Sequence, residues 1–93
     1  MRQIEEQGAF KRDYKRMLKA IHKRNLDLEL EAIVTALAED LPLIKSYREH
    51  KLSGTWSGFF CCHMRPDLVL IYRKAGKDKL ELVRLGSHAE LRL

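Results

Sequence analysis

Apolar residues recur every three or four positions in the first half of the chain, which predicts two amphipathic helices. One apolar stripe runs through residues 9–23 and the other through residues 28–38. Their members are Phe10, Tyr14, Met17, Leu18 and Ile21 in the first, and Leu30, Ile33, Val34, Leu37 and Ala38 in the second. We expect a turn at Arg24 to Asp27 between them, with Asn25 or Asp27 as the N-cap of the second helix and Pro42 beyond its end. The two helices are therefore predicted to form an antiparallel hairpin.

Short runs rich in β-formers follow Pro42 and predict three strands. They cover Ser57 to Met64, Leu68 to Arg73 and Lys79 to Leu85, with turn-forming sequences between them. The opening residues, Arg2 to Glu6, are a candidate for a further strand. The prediction is an α+β fold, a single domain over residues 1–93. An antiparallel β-meander forms a sheet in it, and the helix hairpin covers one face of that sheet.

The composition predicts a cytoplasmic protein without a membrane partner. No run approaches the roughly 18 apolar residues of a membrane span, and the opening residues lack the apolar stretch of a signal peptide. The two cysteines, Cys61 and Cys62, are adjacent. That spacing makes a disulfide between them unfavourable and indicates a reducing compartment.

The net charge of +5 is divided into segments along the chain. Residues 1–24 carry eight basic and three acidic side chains, whereas residues 25–41 carry five acidic side chains and no Lys or Arg. A basic balance suits a polyanionic partner such as RNA, contacted by the two ends of the chain. The basic face of the first helix supplies the candidates Lys11, Arg12, Lys15 and Arg16. The alternative is an ordinary solvated helix face.

Histidine, arginine and aspartate gather around the predicted strand ends of the second half. Alternation along the first strand places Cys61, His63 and Arg65 on one face and Cys62 on the other. Asp67 lies in the next turn. Arg84 is expected on the face of Leu80 and Leu82 in the last strand, with His88 just beyond its end. Because neighbouring strand ends of a meander lie close together, the register in which the strands pair decides whether Arg84 and His88 approach His63.

This set contains the groups needed to cleave RNA without a metal. The reaction requires a base for the 2′-hydroxyl, an acid for the leaving 5′-oxygen and positive charge on the phosphate, roles that histidine and arginine can fill. The candidate catalytic residues are His50, His63, Asp67, Arg84 and His88.

Each of these residues also has a purely structural interpretation. His50 suits a solvated loop and His63 a strand histidine bonded to the backbone, while Asp67 after Pro66 suits a turn. Arg84 suits a charge at a strand end, and His88 the first turn of a helix capped by Ser87. Trp56, between two glycines, suits an anchor for its loop.

The triplet Cys61-Cys62-His63 does not predict a metal site. Zinc ligands are usually spaced so that their side chains converge, whereas three consecutive strand residues alternate between faces. We therefore expect neither a metal nor another cofactor. Phosphate-binding and dinucleotide-binding glycine motifs are absent from the sequence.

Two sequence blocks resemble the YafQ family of bacterial toxins within the RelE/ParE superfamily. They are His50-Lys51-Leu52-Ser53-Gly54-Thr55-Trp56-Ser57-Gly58 and Arg84-Leu85-Gly86-Ser87-His88-Ala89-Glu90-Leu91. Between them, His63, Pro66-Asp67 and Leu70-Ile71-Tyr72 also follow the family pattern. The resemblance covers nearly the whole chain and implies a RelE-like fold.

The resemblance implies a type II toxin that cuts translated mRNA in the ribosomal A site without a metal. Its implied partners are the 70S ribosome, mRNA and a cognate antitoxin whose acidic segment wraps the toxin, with operator DNA contacted only through the antitoxin. The family's functional histidines and aspartate fall on His50, His63, Asp67 and His88, and its phosphate-contacting arginine on Arg84. The resemblance makes His88 and His63 the leading candidates for acid and base, without deciding between them. It implies that His50 and Asp67 orient them or share the proton transfer, and that Arg84 stabilises the transition state.

The sequence also departs from the family pattern. The family commonly has an aromatic residue directly after the motif His-x-x-Leu, where this chain has Arg92. Leu68 stands where an aromatic residue often follows the aspartate, and Phe60 stands at a position that is often basic in relatives. Arg92 and Arg65 complete the set of predicted RNA-binding residues.

Two other functions are open at this point. The first is a non-catalytic binding module of a toxin–antitoxin complex that acts in transcriptional autoregulation. The second is a gyrase-directed toxin on the same fold. The retained histidines favour the nuclease, since neither alternative requires acid and base groups at these positions.

Overall fold

Five strands and three helices follow one another along the chain. The computed structural model describes residues 1–93 throughout. The elements are β1 (Gln3–Glu6), α1 (Gly8–Met17), α2 (Lys23–Ala38), β2 (His50–Lys51), β3 (Phe60–Arg65), β4 (Leu68–Ala75), β5 (Lys79–Gly86) and α3 (His88–Leu91). Single 3₁₀ turns lie at Lys45–Tyr47 and Gly54–Trp56. None of the helices is long and apolar enough to cross a membrane.

The strands form one sheet in the order β1-β5-β4-β3-β2. The predicted meander of β3, β4 and β5 is confirmed, and the predicted N-terminal strand pairs with β5 in parallel. The sequence did not indicate β2, which pairs with β3 and places His50 opposite Cys61. The first predicted strand begins at Phe60 rather than Ser57 because the preceding residues form the 3₁₀ turn that ends at Trp56.

The predicted turn at Arg24 to Asp27 is wrong, because these residues already belong to α2. The chain turns instead between Met17 and Lys23, where His22 is the N-cap of α2. Leu26 is fully buried, so the apolar stripe of α2 starts one turn earlier than predicted. The end of the helix lies before Pro42 as expected. Asp40 there takes a left-handed conformation at φ 57°, and the backbone closes a Schellman motif.

The sheet has a core on each face. On one face, α1 and α2 cover a cluster of 14 buried residues that includes Leu26, Cys62 and Leu85. On the other face, Cys61, Val69, Ile71 and Leu91 form a smaller buried cluster. Trp56 packs against this smaller cluster, and its indole N–H donates to the Leu91 carbonyl at 3.2 Å, so it anchors its loop.

Two register shifts in the sheet place Arg65 and Arg84 differently from the prediction. An extra residue in β3 between His63 and Arg65 breaks the alternation, and Arg65 forms an ion pair with Glu29 of α2 at 2.9 Å. The prediction that His63 and Arg65 share a face is therefore wrong. A second extra residue, Val83, lies between the paired positions of β5.

Because of this second shift, Leu85 rather than Arg84 continues the face of Leu80 and Leu82, contrary to the prediction. Arg84 is displaced from the apolar row and contacts α1.

A buried carboxylate fastens α1 to the end of β5. Asp13 is the one charged residue among the 20 buried residues. It accepts hydrogen bonds from the backbone N–H of Leu85 at 2.9 Å and from Nε of Arg84 at 2.7 Å. Nη2 of Arg84 at 3.3 Å and Nη1 of Arg16 at 2.8 Å are two further donors. A buried carboxylate without such partners would be strongly destabilising.

Opposing effects act on the protonation of Asp13. Burial by itself raises its pKa, but the hydrogen bonds from Arg84, the Leu85 backbone and Arg16 outweigh burial, so the pKa lies below its ordinary value. The stabilisation is therefore complete above the unfolded pKa of about 3.9 and is lost as the pH falls through the lower folded pKa.

We expect Asp13→Asn to lower the free energy of unfolding at pH 7 by about 3 kcal/mol, because it leaves two arginines beside a neutral amide. Urea unfolding of both proteins at pH 7 and in steps below pH 4 measures this effect. The difference should shrink in acid, where Asp13 of the wild type is protonated as well. The control is Asp78→Asn in the exposed turn before β5. Equal losses in the two variants, or a difference that does not depend on pH, would contradict the assignment.

Candidate active site

Three histidines from three separate elements meet at one edge of the sheet. His50 lies on β2, His63 on β3, and His88 is the first residue of α3. Ser87 fixes the start of α3 through a capping box. Its hydroxyl accepts from the backbone N–H of Glu90, and the Glu90 carboxylate accepts from the backbone N–H of Ser87. The orientation of His88 is therefore set by the cap.

Asp67, His88 and His63 form a continuous hydrogen-bonded row. The Asp67 carboxylate accepts from Nδ1 of His88 at 2.7 Å and from its backbone N–H at 3.0 Å. Nε2 of His88 faces Nε2 of His63 at 3.1 Å. One of these two nitrogens donates and the other accepts, so the pair is built to hold one proton between two rings.

The surroundings favour charge on Asp67 and disfavour it on His63. Hydrogen bonds from the His88 backbone and ring lower the pKa of Asp67. Burial, reinforced by the charge of Arg48, lowers the pKa of His63. A negative charge thus lies beside His88, while His63 is uncharged at neutral pH.

The tautomers follow from these partners. With both rings uncharged, Asp67 fixes the hydrogen of His88 on Nδ1, and Nε2 of His88 accepts from Nε2 of His63. The lone pair of His63 then lies on Nδ1, which is buried and has no hydrogen-bond partner.

His50 extends the histidine group toward solvent. Its ring stacks on that of His63 with 5.6 Å between centroids. Its Nδ1 lies 2.9 Å from the carbonyl of Arg48, and its Nε2 lies 3.4 Å from Sγ of Cys61. Arg48 takes a left-handed conformation at φ 47°, which turns the chain into β2.

A cleft of about 450 Å³ opens beside these rings. Its lining includes the three histidines, Cys61, Trp56 and Arg92. The structure therefore brings His50, His63 and His88 to one cavity, with Asp67 bonded behind His88. Arg92 lines the same cavity, although it stands where the family usually has an aromatic residue.

Arg84 makes no hydrogen bond to the histidines and is bonded instead to Asp13. Nε and Nη2 of its guanidinium bind Asp13, at 2.7 and 3.3 Å, and Nη1 makes no hydrogen bond. Its side chain is 28% exposed. Asp13 therefore holds one edge of the guanidinium, and Nη1 on the other side is left without a hydrogen-bond partner.

The other predicted RNA-binding residues divide into two groups. Lys11, Arg12 and Lys15 are exposed on α1, and two of them, Lys11 and Lys15, line a groove between α1 and α2 rather than the histidine cleft. Arg16 forms ion pairs with Asp13 and with Glu90, the latter at 2.9 Å. Since Arg65 is paired with Glu29, both Arg16 and Arg65 have structural partners.

Sequence reasoning missed Asp13. The signal was present, because Asp13 lies three residues after Phe10 and four before Met17, on the apolar stripe of α1. A lone acid among apolar positions of a basic helix indicates a buried charge with partners. The position of Cys61 beside His50 was also missed, because this cross-strand pairing depends on β2, which the sequence did not indicate.

Comparisons with known proteins agree with this architecture. Residues 2–93 match the sequence model of a family described as the bacterial toxin of type II toxin–antitoxin system, YafQ. The chain is 37% identical over 92 residues to the mRNA interferase toxin YafQ of Escherichia coli, covering 97% of this chain and 95% of that protein.

Solved structures give the same result. The E. coli DinJ–YafQ complex contains a chain 36% identical with a TM-score of 0.81, covering 98% of both chains. A copper-bound mutant toxin from Helicobacter pylori is 33% identical with a TM-score of 0.87, covering 98% of this chain and 99% of that one. The resemblance seen in the sequence blocks is confirmed, and the chain belongs to the YafQ family of toxins from bacterial type II toxin–antitoxin systems.

Proposed function

We propose that the chain is an mRNA interferase, an endoribonuclease that cleaves translated mRNA in the ribosomal A site without a metal. The observation that carries the proposal is the contact between Nε2 of His63 and Nε2 of His88 at 3.1 Å, beside Asp67 and open to one cleft. Two imidazoles at this distance supply the acid and the base that phosphodiester transfer requires.

His63 acts as the base and His88 as the acid. The lowered pKa of His63 keeps this ring uncharged, and Asp67 lies beside the ring that carries the positive charge. As the acid, His88 carries a hydrogen on each ring nitrogen, so its Nε2 donates to Nε2 of His63 and the single hydrogen of His63 then lies on Nδ1. RNA entering the cleft separates the two Nε2 atoms, one toward the 2′-hydroxyl and the other toward the leaving oxygen. His50, stacked on His63, holds that ring in place.

The proton transfers balance over the reaction. Nε2 of His63 takes the proton of the 2′-hydroxyl, and the 2′-oxygen forms a bond to phosphorus. The bond between phosphorus and the 5′-oxygen breaks, and Nε2 of His88 gives its proton to that oxygen. The products are a 2′,3′-cyclic phosphate and a 5′-hydroxyl end.

Arg84 stabilises the five-coordinate phosphate. Its Nη1 is available because Asp13 holds the other edge of the guanidinium. A fixed donor aimed at developing negative charge costs no reorganisation during the reaction. Arg92, unlike Arg84, lines the cleft itself and provides a positive charge there.

The toxin acts in the cytoplasm and is neutralised by a cognate antitoxin. The supporting observations are the similarity to YafQ in the DinJ–YafQ complex and the net charge of +5, which suits an acidic antitoxin segment that folds as it binds. Operator DNA is contacted only through this antitoxin.

The test is to map mRNA ends on translating ribosomes after addition of purified protein. We expect cuts within codons that leave cyclic or 3′-phosphates. His63→Gln and His88→Ala should each slow cleavage by about 10²- to 10⁴-fold, because each removes one proton-transfer group. A single 2′-deoxynucleotide at the cut site should abolish cleavage there.

His22→Gln is the matched control, because His22 is the fourth histidine and lies exposed at the start of α2. It should retain the wild-type rate. Intact mRNA with folded wild-type protein would reject the nuclease. Cleavage that survives the 2′-deoxy substitution would reject the proposed chemistry.

We further expect the basic face of α1 to bind ribosomal RNA phosphates. Replacing Lys11, Arg12 and Lys15 together by Gln removes three exposed charges. The slope of log binding constant against log salt concentration for ribosomes should decrease by about 2 to 3. Arg16 is left unchanged because its ion pairs hold the fold.

The control for this surface is the double variant Lys45→Gln and Lys77→Gln, which removes exposed charges away from α1. It should leave the salt slope nearly unchanged. If both sets of substitutions shift the slope equally per charge, net charge rather than this helix face governs binding.

A further inference from the structure

Arg92 is an arginine of the cleft whose guanidinium has no partner within the protein. Its side chain is exposed, makes neither a hydrogen bond nor an ion pair, and lines the same cavity as the three histidines. Arg16, Arg65 and Arg84, by contrast, are each paired with a carboxylate. All the donors of the Arg92 guanidinium are therefore free to bind a ligand in this cavity.

The backbone at Arg92 is fixed although its side chain is free. Arg92 ends α3 at φ 56°, in the left-handed region. Its N–H donates to the Ala89 carbonyl at 3.3 Å, and the N–H of Leu93 donates to the His88 carbonyl at 2.9 Å, which completes a Schellman motif. Glycine is favoured at this position of such a turn, so the turn does not explain the presence of an arginine.

A loop beside Arg92 completes the lining of the cavity. Residues 52–56 all contribute to it, and a Cβ atom at Gly54 would have no atom within 4 Å, so the space above the loop is open. The indole N–H of Trp56, bonded to the Leu91 carbonyl, connects this loop to the residue before Arg92. The volume of about 450 Å³ lies within the range of about 300 to 1,000 Å³ typical of small-ligand pockets. A nucleotide base can therefore enter beside the reacting phosphate.

Arg92 lies on the same side of the reaction as the acid. His88 begins α3 and Arg92 follows four residues later, about 6 Å along the helix axis. In the proposed reaction His88 gives its proton to the 5′-oxygen, and this oxygen belongs to the nucleotide on the 3′ side of the cut. The base that Arg92 meets is therefore the one directly 3′ of the cut.

A guanidinium distinguishes guanine from the other bases by its geometry. Guanine presents two neighbouring acceptors, O6 and N7, which match two N–H groups of an arginine. Adenine has an amino donor beside its N7, and neither pyrimidine offers this pair of acceptors. The edge that carries O6 and N7 is accessible in single-stranded RNA.

We propose that Arg92 selects guanine as the base directly 3′ of the cut, by donating to O6 and N7 of that base. This inference deepens the proposed function and rests on it, because the position of the base follows from His88 as the acid. Arg92 then determines specificity and takes no part in proton transfer.

The test compares cleavage on translating ribosomes that hold mRNAs differing only in the base 3′ of the cut. We expect the wild type to cleave the guanine mRNA at least about 10-fold faster than the adenine mRNA. 7-Deazaguanine, which lacks the N7 acceptor but keeps O6, should lose most of this advantage. Arg92→Lys keeps the charge but lacks the two-pronged donor, so the preference should fall below about 3-fold while the rate on adenine stays within about 2-fold.

Arg24→Lys is the matched control, because Arg24 is exposed on α2 and does not line the cleft. It should keep the wild-type preference for guanine. Melting temperatures verify that both variants fold. Equal cleavage at all four bases by the wild type would overturn the proposal, and so would a guanine preference that persists in Arg92→Lys.

A binding measurement separates this proposal from the nuclease itself. Ribosomes are loaded with mRNAs whose A-site codon carries 2′-deoxynucleotides, which the proposed chemistry cannot cleave, and each codon position is varied in turn. At one position the wild type should bind guanine about 10-fold more tightly than adenine, and Arg92→Lys should bind both about equally. If the wild type leaves cleavable mRNA intact but shows this difference, the nuclease is rejected and the guanine contact stands. If binding shows no difference at any position, the contact is rejected whatever the cleavage result.

Discussion

The buried carboxylate of Asp13 is the interaction on which the geometry of the site depends. It connects the middle of α1 to the last residues of β5, which lead directly into α3. Arg16 continues the connection, because it binds both Asp13 and Glu90. Glu90 in turn accepts from the backbone N–H of Ser87, which caps the helix that carries His88. A row of charges therefore runs from α1 to the helix that carries His88.

Gly86 shows how closely this junction is packed. A Cβ atom at this position would lie 2.9 Å from the Glu90 carboxylate and 3.1 Å from the Arg16 guanidinium. A side chain there would displace the two groups that connect α1 to α3. Gly86 is therefore explained by the space available to the backbone and Ser87 by its role as a helix cap, and together they position His88 at the start of α3.

Much of the fold and part of the site could be predicted from the sequence. The two errors, the position of the first turn and the placement of two arginines, have different causes. Apolar periodicity reports burial, so it located α1, α2 and the three long strands. It misplaced the first turn because the polar residues around buried Leu26 resembled a cap. It could not report the extra residues in β3 and β5, because a bulge is set by how two strands pair and leaves no periodic signal. Arg65 and Arg84 were misplaced for that reason.

The hydrogen positions of the histidine cluster are set by the groups bonded to its rings. The row from Asp67 through His88 to His63 controls which nitrogen of His63 is protonated. Burial raises the pKa of the Cys61 thiol, so the sulfur is neutral and does not disturb that row. The same carboxylate of Asp67 accepts from the backbone N–H and from the ring of His88, so the start of α3 and the hydrogen positions of the two rings are linked through one group.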